Sequence, residues 1–145
     1  MGGVYAMDAN TVWADGNGVM LKTTNGGSTW TTTLQDLGDA TQATSFVDAN
    51  IGWTAGASGA IAKTTDGGFT WAQQTSGTSQ QLNGVDFVTT TVGYVVGATD
   101  VVLKTTDGGA TWSSSPTEGG GDTYFLDVHT GWTVGSNERI KKTTD

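Results

Sequence analysis

Apolar residues in this chain come in short runs with no sustained helical period, each closed by a turn rich in polar residues and glycine. Four such runs, at 4–7, 45–47, 85–88 and 124–126, end at matching positions: Asp8, Asp48, Thr89 and Asp127. Five residues later stands an aromatic (Trp13, Trp53, Tyr94, Trp132), and three beyond it a glycine (Gly16, Gly56, Gly97, Gly135). A lysine follows at Lys22, Lys63, Lys104 and Lys142. In the second unit the pattern predicts strands over 43–48, 52–56, 60–64 and 70–74, with turns at Ala49-Asn50 and Ser58-Gly59. Four antiparallel strands in roughly 40 residues describe one blade of a β-propeller. The chain therefore divides into units 1–40, 41–80 and 81–120 and a partial fourth, 121–145, all within one repeat domain.

The most regular feature is an octapeptide that recurs with a step of 41 residues: Thr23 to Trp30, Thr64 to Trp71 and Thr105 to Trp112. A fourth copy opens at Thr143 and reaches Asp145. Each copy falls where the third and fourth strands of a unit must be joined. Asp66 and Asp107 can accept hydrogen bonds from backbone N–H groups of their own turn, and the paired glycines, Gly67-Gly68 and Gly108-Gly109, suit positive φ. Asn25 can accept the same bonds without the charge. Trp30, Trp71 and Trp112 open the outer strand with a ring that can cover the hairpin and pack between blades. The expected structural residues are thus Thr23, Asn25, Gly27 and Trp30; Thr64, Asp66, Gly68 and Trp71; Thr105, Asp107, Gly109 and Trp112; and Thr143 and Asp145.

Composition narrows the function classes. The 23 glycines and single proline, with abundant threonine, favour short strands and tight turns over helices. A net charge of -8 with six basic residues argues against nucleic acid, which needs clustered Lys and Arg. The one basic cluster, Arg139, Lys141 and Lys142, reads as a solvated strand end. No apolar stretch is long enough to cross a bilayer, so no membrane insertion is expected. With no cysteine, no disulfide or thiolate metal site can form. His129 is the lone histidine and the aspartates lack calcium-loop spacing, so neither a metal nor a cofactor is expected. The first residues show no export signal, though a trimmed chain would look the same; an extracellular or periplasmic setting is favoured.

The octapeptide resembles the Asp-box, or bacterial neuraminidase repeat, Ser/Thr-x-Asp-x-Gly-x-Thr-Trp. The second and third copies match at every defined position, and the first departs only at Asn25. With the Gly-Trp-x-x-Gly strand and the Lys-Thr-Thr-Asp-Gly-Gly run, the chain is most similar to propellers of the photosystem II assembly factor type. Xyloglucanase-like and sortilin-like propellers are more distant. The resemblance implies an all-β propeller with three full Asp-box blades and one truncated blade, a partial ring or one completed by other chains. In such families the box lies away from the active site.

Catalysis finds little support. A sialidase resembles its relatives in an arginine triad, and this chain has one arginine, Arg139. An inverting glycoside hydrolase needs only two carboxylates across a cleft, and stands as the enzyme alternative. The favoured reading is a non-catalytic scaffold for protein or carbohydrate binding, or for assembly with other chains; a self-assembling ring or filament is the third reading. The partner would be a protein or glycan, with self-association or a longer parent chain completing the ring. Binding is expected on linkers and on turns between second and third strands, with Asp15, Asn17, Ser58, Asp100, Glu118, Asp122, Asn137 and Glu138 as candidates, all expected in loops.

Overall fold

Short runs and tight turns give strands that pair only with their chain neighbours. The computed structural model describes residues 3–16, 19–35, 41–114, 120–135 and 140–143. The first sheet holds β1 (Val4–Ala6), β2 (Val12–Gly16), β3 (Val19–Thr23) and β4 (Thr31–Gln35). The second holds β5 (Thr41–Phe46), β6 (Gly52–Gly56), β7 (Ile61–Thr64) and β8 (Ala72–Gln74). The third contains β9 (Leu82–Phe87), β10 (Gly93–Gly97), β11 (Val101–Thr105) and β12 (Ser113–Ser114). The fourth contains β13 (Asp122–Phe125), β14 (Gly131–Val134) and β15 (Ile140–Thr143). Every neighbouring pair is antiparallel, and no α-helix occurs among the described residues.

In the second unit the second strand has the expected bounds, while its neighbours differ at their ends. β5 stops before Asp48, whose carboxylate accepts the N–H groups of Asn50 and Ile51 at 2.7 and 2.8 Å and so closes the turn. β8 starts after Thr70, whose N–H and hydroxyl are held by Asp66 at 2.9 and 2.6 Å. Side-chain acceptors that capture strand-end donors shorten the ladder.

The core lies between sheets and is built from two cross-strand pairs that recur. One pair sets a ring opposite a lysine: Trp13 faces Lys22, Trp53 faces Lys63, Tyr94 faces Lys104 and Trp132 faces Lys142. The ammonium groups sit 4.8, 4.9, 5.2 and 5.6 Å from the ring centroids, within cation–π range. The other pair sets a phenylalanine opposite a glycine: Phe46 and Gly52, Phe87 and Gly93, Phe125 and Gly131. A Cβ on these glycines would fall 2.4, 2.5 and 2.3 Å from the ring, so only glycine leaves the phenylalanine its seat.

Each seated phenylalanine stacks on the aromatic of the preceding sheet. Trp13 lies on Phe46 at 3.9 Å, Trp53 on Phe87 at 3.5 Å and Tyr94 on Phe125 at 3.6 Å. The hairpin tryptophan of the later sheet meets the same ring edge-on, Trp71 on Phe46 and Trp112 on Phe87. Polar tips are satisfied across the junction: Trp13 Nε1 donates to Gly67 O at 3.0 Å and Trp53 Nε1 to Gly108 O at 3.1 Å. Lys22 and Lys63 donate to the same two carbonyls at 3.2 and 3.4 Å. Burial of each such ring stabilises by about 1.5–3 kcal/mol, and stacking adds roughly 0.5–1.5 kcal/mol. Packed from both sides, β6 and β10 are buried along their whole length. The first strands β1, β5, β9 and β13 lie along one another, which is the inner edge of a β-propeller.

Candidate functional site

Antiparallel order puts the between-sheet linkers and the turns joining second to third strands at one end of every sheet. The octapeptide hairpins and the turns joining first to second strands share the opposite end. At that hairpin end, polar side chains are spent on the fold. Thr23, Thr64 and Thr105 are buried, and their Oγ1 atoms accept the N–H groups of Gly27, Gly68 and Gly109 at 3.0, 2.8 and 2.9 Å. The glycines that close the turn take φ of 87°, 93° and 88°, open to glycine at no steric cost. Asp66 accepts from Thr70 at both oxygens, and Asp107 does so from Thr111 at 2.9 and 2.5 Å. The threonine hydroxyl and N–H together hold each carboxyl down to about 2.

In the first copy Asn25 Oδ1 accepts Thr29 N at 2.9 Å, but its Nδ2 donates to the Thr29 hydroxyl at 2.8 Å, reversing one bond. A further bond ties each hairpin to the first turn of its own sheet: Gly26 N to Asn10 O, Gly67 N to Asn50 O and Gly108 N to Thr91 O. Trp30 is largely exposed, Trp71 and Trp112 are half-buried at the junctions, and Thr143 ends β15.

The other end carries a cavity of about 630 Å³ running along the inner strands, lined among others by Tyr5, Thr44, Asn83, Asp86, Asp122 and Tyr124. Four sheets contribute to it. Side chains of the inner strands clamp the backbone of the next strand: Tyr5 Oη donates to Phe46 O at 2.5 Å, and Ser45 Oγ accepts Phe87 N at 3.2 Å. Asp86 Oδ2 accepts Phe125 N at 2.5 Å, and Asn83 Nδ2 donates to Gly120 O at 2.6 Å. Burial pushes the Asp86 carboxyl above the usual carboxylate range, and the charge of Asp122 adds to this, against the pull of the Phe125 N–H. The Tyr5 phenol is also pushed up, by burial first and by Asp86 second. Such a surface favours ligand groups that bring positive charge or hydrogen-bond donors.

Of the residues singled out in the sequence, Asp122 lines this cavity from the first position of β13. Asp15 is not in a loop: it sits within β2, buried, with Thr44 Oγ1 donating to it at 2.6 Å and the Gly3 N–H donating to it as well. β2 spans the same five positions as β6 and β10, so Asp15 falls inside the strand, and these two donors offset part of the cost of placing a carboxylate between sheets. Ser58 and Asp100 are exposed in turns, with φ of 55° and 60°, and do not line the cavity. Asn17, Glu118, Asn137, Glu138 and Asp145 lie outside the described residues. Sequence reasoning passed over Tyr5, Asn83, Asp86 and Tyr124. A signal for Asp86 existed, a carboxylate interrupting the run Val85–Val88, at the position held by Tyr5 and Ser45 in earlier units.

Among the described residues, no three His, Cys, Asp or Glu side chains gather to hold a metal, and no helix is long and apolar enough to cross a membrane.

Sheets stacked on their faces with inner strands around a shared cavity define the β-propeller class. The family model described as photosynthesis system II assembly factor YCF48 matches residues 33–119, more than half of the chain, and the chain belongs to that family. Among solved structures, the chain is similar to YCF48 bound to D1 peptide, with 29% identity over 74% of this chain and 38% of that one, TM-score 0.67. It is also similar to YCF48 from Cyanidioschyzon merolae, with 17% identity over 97% of this chain and 49% of the other, TM-score 0.82. An ancestral GH74 enzyme aligns at 17% identity over 98% of this chain and 22% of its own, TM-score 0.76, a likeness of fold alone. The chain thus spans about half or less of the length of these structures. No curated protein matches it.

Proposed function

We propose that this chain is a non-catalytic propeller scaffold that binds an extended polypeptide segment at the linker end, over the cavity formed by the inner strands. The observation that carries this reading is the 29% identity, over 74% of the chain, to a YCF48 structure bound to D1 peptide. The cavity supports it by chemistry: carboxylates and carbonyl-clamping side chains on a stiff frame, in a chain of net charge -8, suit a peptide that brings donors and positive charge. Ser58 and Asp100 are then rim residues of the same end and Asp122 a contact residue, while Asn17, Glu118, Asn137 and Glu138 remain candidates for contact with the same ligand. Thr23, Asn25, Gly27, Trp30, Thr64, Asp66, Gly68, Trp71, Thr105, Asp107, Gly109, Trp112, Thr143 and Asp145 serve the frame and not the ligand. Units 1–40, 41–80 and 81–120 each supply one blade and unit 121–145 a partial one. The reading includes association with further sheets, since a propeller face is shared by its blades.

A fluorescein-labelled D1 peptide titrated into the full chain tests this by polarisation. Asp122→Asn and Asn83→Ala should each weaken binding by about fivefold or more, the size of one lost charged or neutral hydrogen bond. Absence of binding, or variants that bind like the parent, would refute the placement.

A further inference from the structure

The first octapeptide carries an amide where its sister copies carry a carboxylate: Asn25 stands at the place of Asp66 and Asp107. Gly26 follows it, exposed as Asn25 is, with φ of 66° and no side chain to shield its backbone nitrogen. Oδ1 of Asn25 accepts two hydrogen bonds, from the Thr23 hydroxyl and from the Thr29 N–H, both at 2.9 Å. Nδ2 donates to the Thr29 hydroxyl oxygen at 2.8 Å. Two donors on a carbonyl oxygen polarise its carbon and stabilise the negative charge that grows on the oxygen when a nucleophile adds. The nucleophile next in the chain is the Gly26 nitrogen, and its addition to Cγ closes a five-membered ring. The backbone carbonyl of Asn25 is held more loosely, accepting the Ser28 N–H at 3.4 Å.

We propose that Asn25 is a modification site at which the folded chain deamidates without an enzyme, converting the first octapeptide to the acidic form of its sisters. The Gly26 nitrogen gives its proton to solvent base, releasing Asn10 O, and attacks Asn25 Cγ. The Cγ–Nδ2 bond breaks, Nδ2 leaves as ammonia with a proton taken from water, and a succinimide ring joins residues 25 and 26. One water then opens the ring. Addition at Cγ breaks the bond from Cγ to the Gly26 nitrogen, restores that N–H and leaves aspartate; addition at the backbone carbonyl carbon leaves isoaspartate. The two donors on Oδ1 direct water to Cγ, so aspartate is the main product. Its partners are in place: Asp66 and Asp107 each accept the N–H and the hydroxyl of the threonine four residues on. Thr29 already donates its N–H to Asn25, and its hydroxyl has only to turn from acceptor to donor. Isoaspartate would instead lengthen the backbone between Thr23 and the Gly27 N–H that its hydroxyl holds. This chemistry is independent of peptide binding at the linker end.

The test ages the full folded chain in mildly alkaline buffer and maps it by trypsin digestion and mass spectrometry, with aspartate and isoaspartate separated by chromatography. Cleavage after Lys22 puts Asn25 on a different peptide from Asn17 and from Asn83. Asn83 is the internal comparison: glycine follows it too, but it is held within β9 with its Nδ2 on Gly120 O. Residue 25 should gain about 1 Da at least ~10-fold faster than residue 83, with aspartate exceeding isoaspartate by ~3-fold or more. Its peptide should co-elute with that of an Asn25→Asp variant, and Asn25→Gln, which would need a six-membered ring, should keep its mass. The same chain held unfolded in urea should give mainly isoaspartate. The proposal is overturned by a residue 25 that stays an amide in the fold after the unfolded chain has reacted, by equal rates at residues 25 and 83, or by isoaspartate as the main product of the folded chain. Those three readings need no variant to fold.

Discussion

A single threonine hydroxyl organises each octapeptide. Thr64 Oγ1 accepts the Gly68 N–H at 2.8 Å and donates to Asp66 Oδ1 at 2.8 Å, in a position 1% exposed. Thr64→Val keeps the shape but leaves a buried N–H unpaired, so stability measured by urea unfolding should drop by about 1–3 kcal/mol. The carboxylates make a pH argument with a definite sign. Asp66 and Asp107 are held at about 2, below the roughly 3.9 of an unfolded aspartate, so the folded state binds their protons more weakly. Their contribution is complete above about pH 5 and is lost as pH falls from about 4 toward 2. Asp8 and Asp127, lowered by N–H groups of their own turns, act in the same direction. Asp86 acts oppositely: burial raises it, so its charged form opposes folding at neutral pH and protonation relieves this. Urea midpoints across pH 2–6 should therefore fall on the acid side, less steeply in an Asp66→Asn, Asp107→Asn double variant. Asn25, already neutral, contributes no such slope.

The sheet is where rings and glycines become interdependent. Phe87 lies flat on Trp53 with an interplanar angle of 3° and meets Trp112 edge-on, so Phe87→Ala empties the junction between the second and third sheets. It should cost about 3–5 kcal/mol by chemical denaturation. Gly93→Ala attacks the same contact from beneath, since the new Cβ would stand 2.5 Å from the ring. Displacing the ring should cost about 1–3 kcal/mol, and the two effects should not add, because both remove one stacked pair. Strand existence and order were legible in the sequence because the turn groups, Asp48 or the Thr64–Trp71 hairpin, lie within a few residues of the donors they hold. Strand ends were less legible: the same acceptors take donors away from the ladder, so β8 begins two residues later than its β-prone residues suggest.

Across the described sheets, stability is a chain of contacts between neighbours, with one buried cluster at the junction of the first and second sheets and another at that of the second and third. The sheets in the middle are packed on both faces, so amides of β6 and β10 should exchange slowest and those of β1 and β15 fastest. A spread of about 100-fold or more in exchange rate is expected, read residue by residue by NMR. Uniform protection would instead mean that the end sheets are covered. The binding reading also belongs to this scale, because Tyr5, Thr44, Asp86 and Asp122 come from four different sheets.

The sequence by itself determined the repeat step, the all-β class, the hairpin chemistry and the aromatic at each junction. These follow from groups that interact within a turn, or from a pattern restated in every unit. Only the tertiary structure decided that Asp15 is buried between sheets and that Asp86 and Asp122 share a cavity with Tyr5. Those outcomes depend on how one sheet is placed against the next, and that placement is set by ring stacking between residues more than 30 positions apart, such as Trp13 and Phe46 or Trp53 and Phe87, beyond the reach of local spacing.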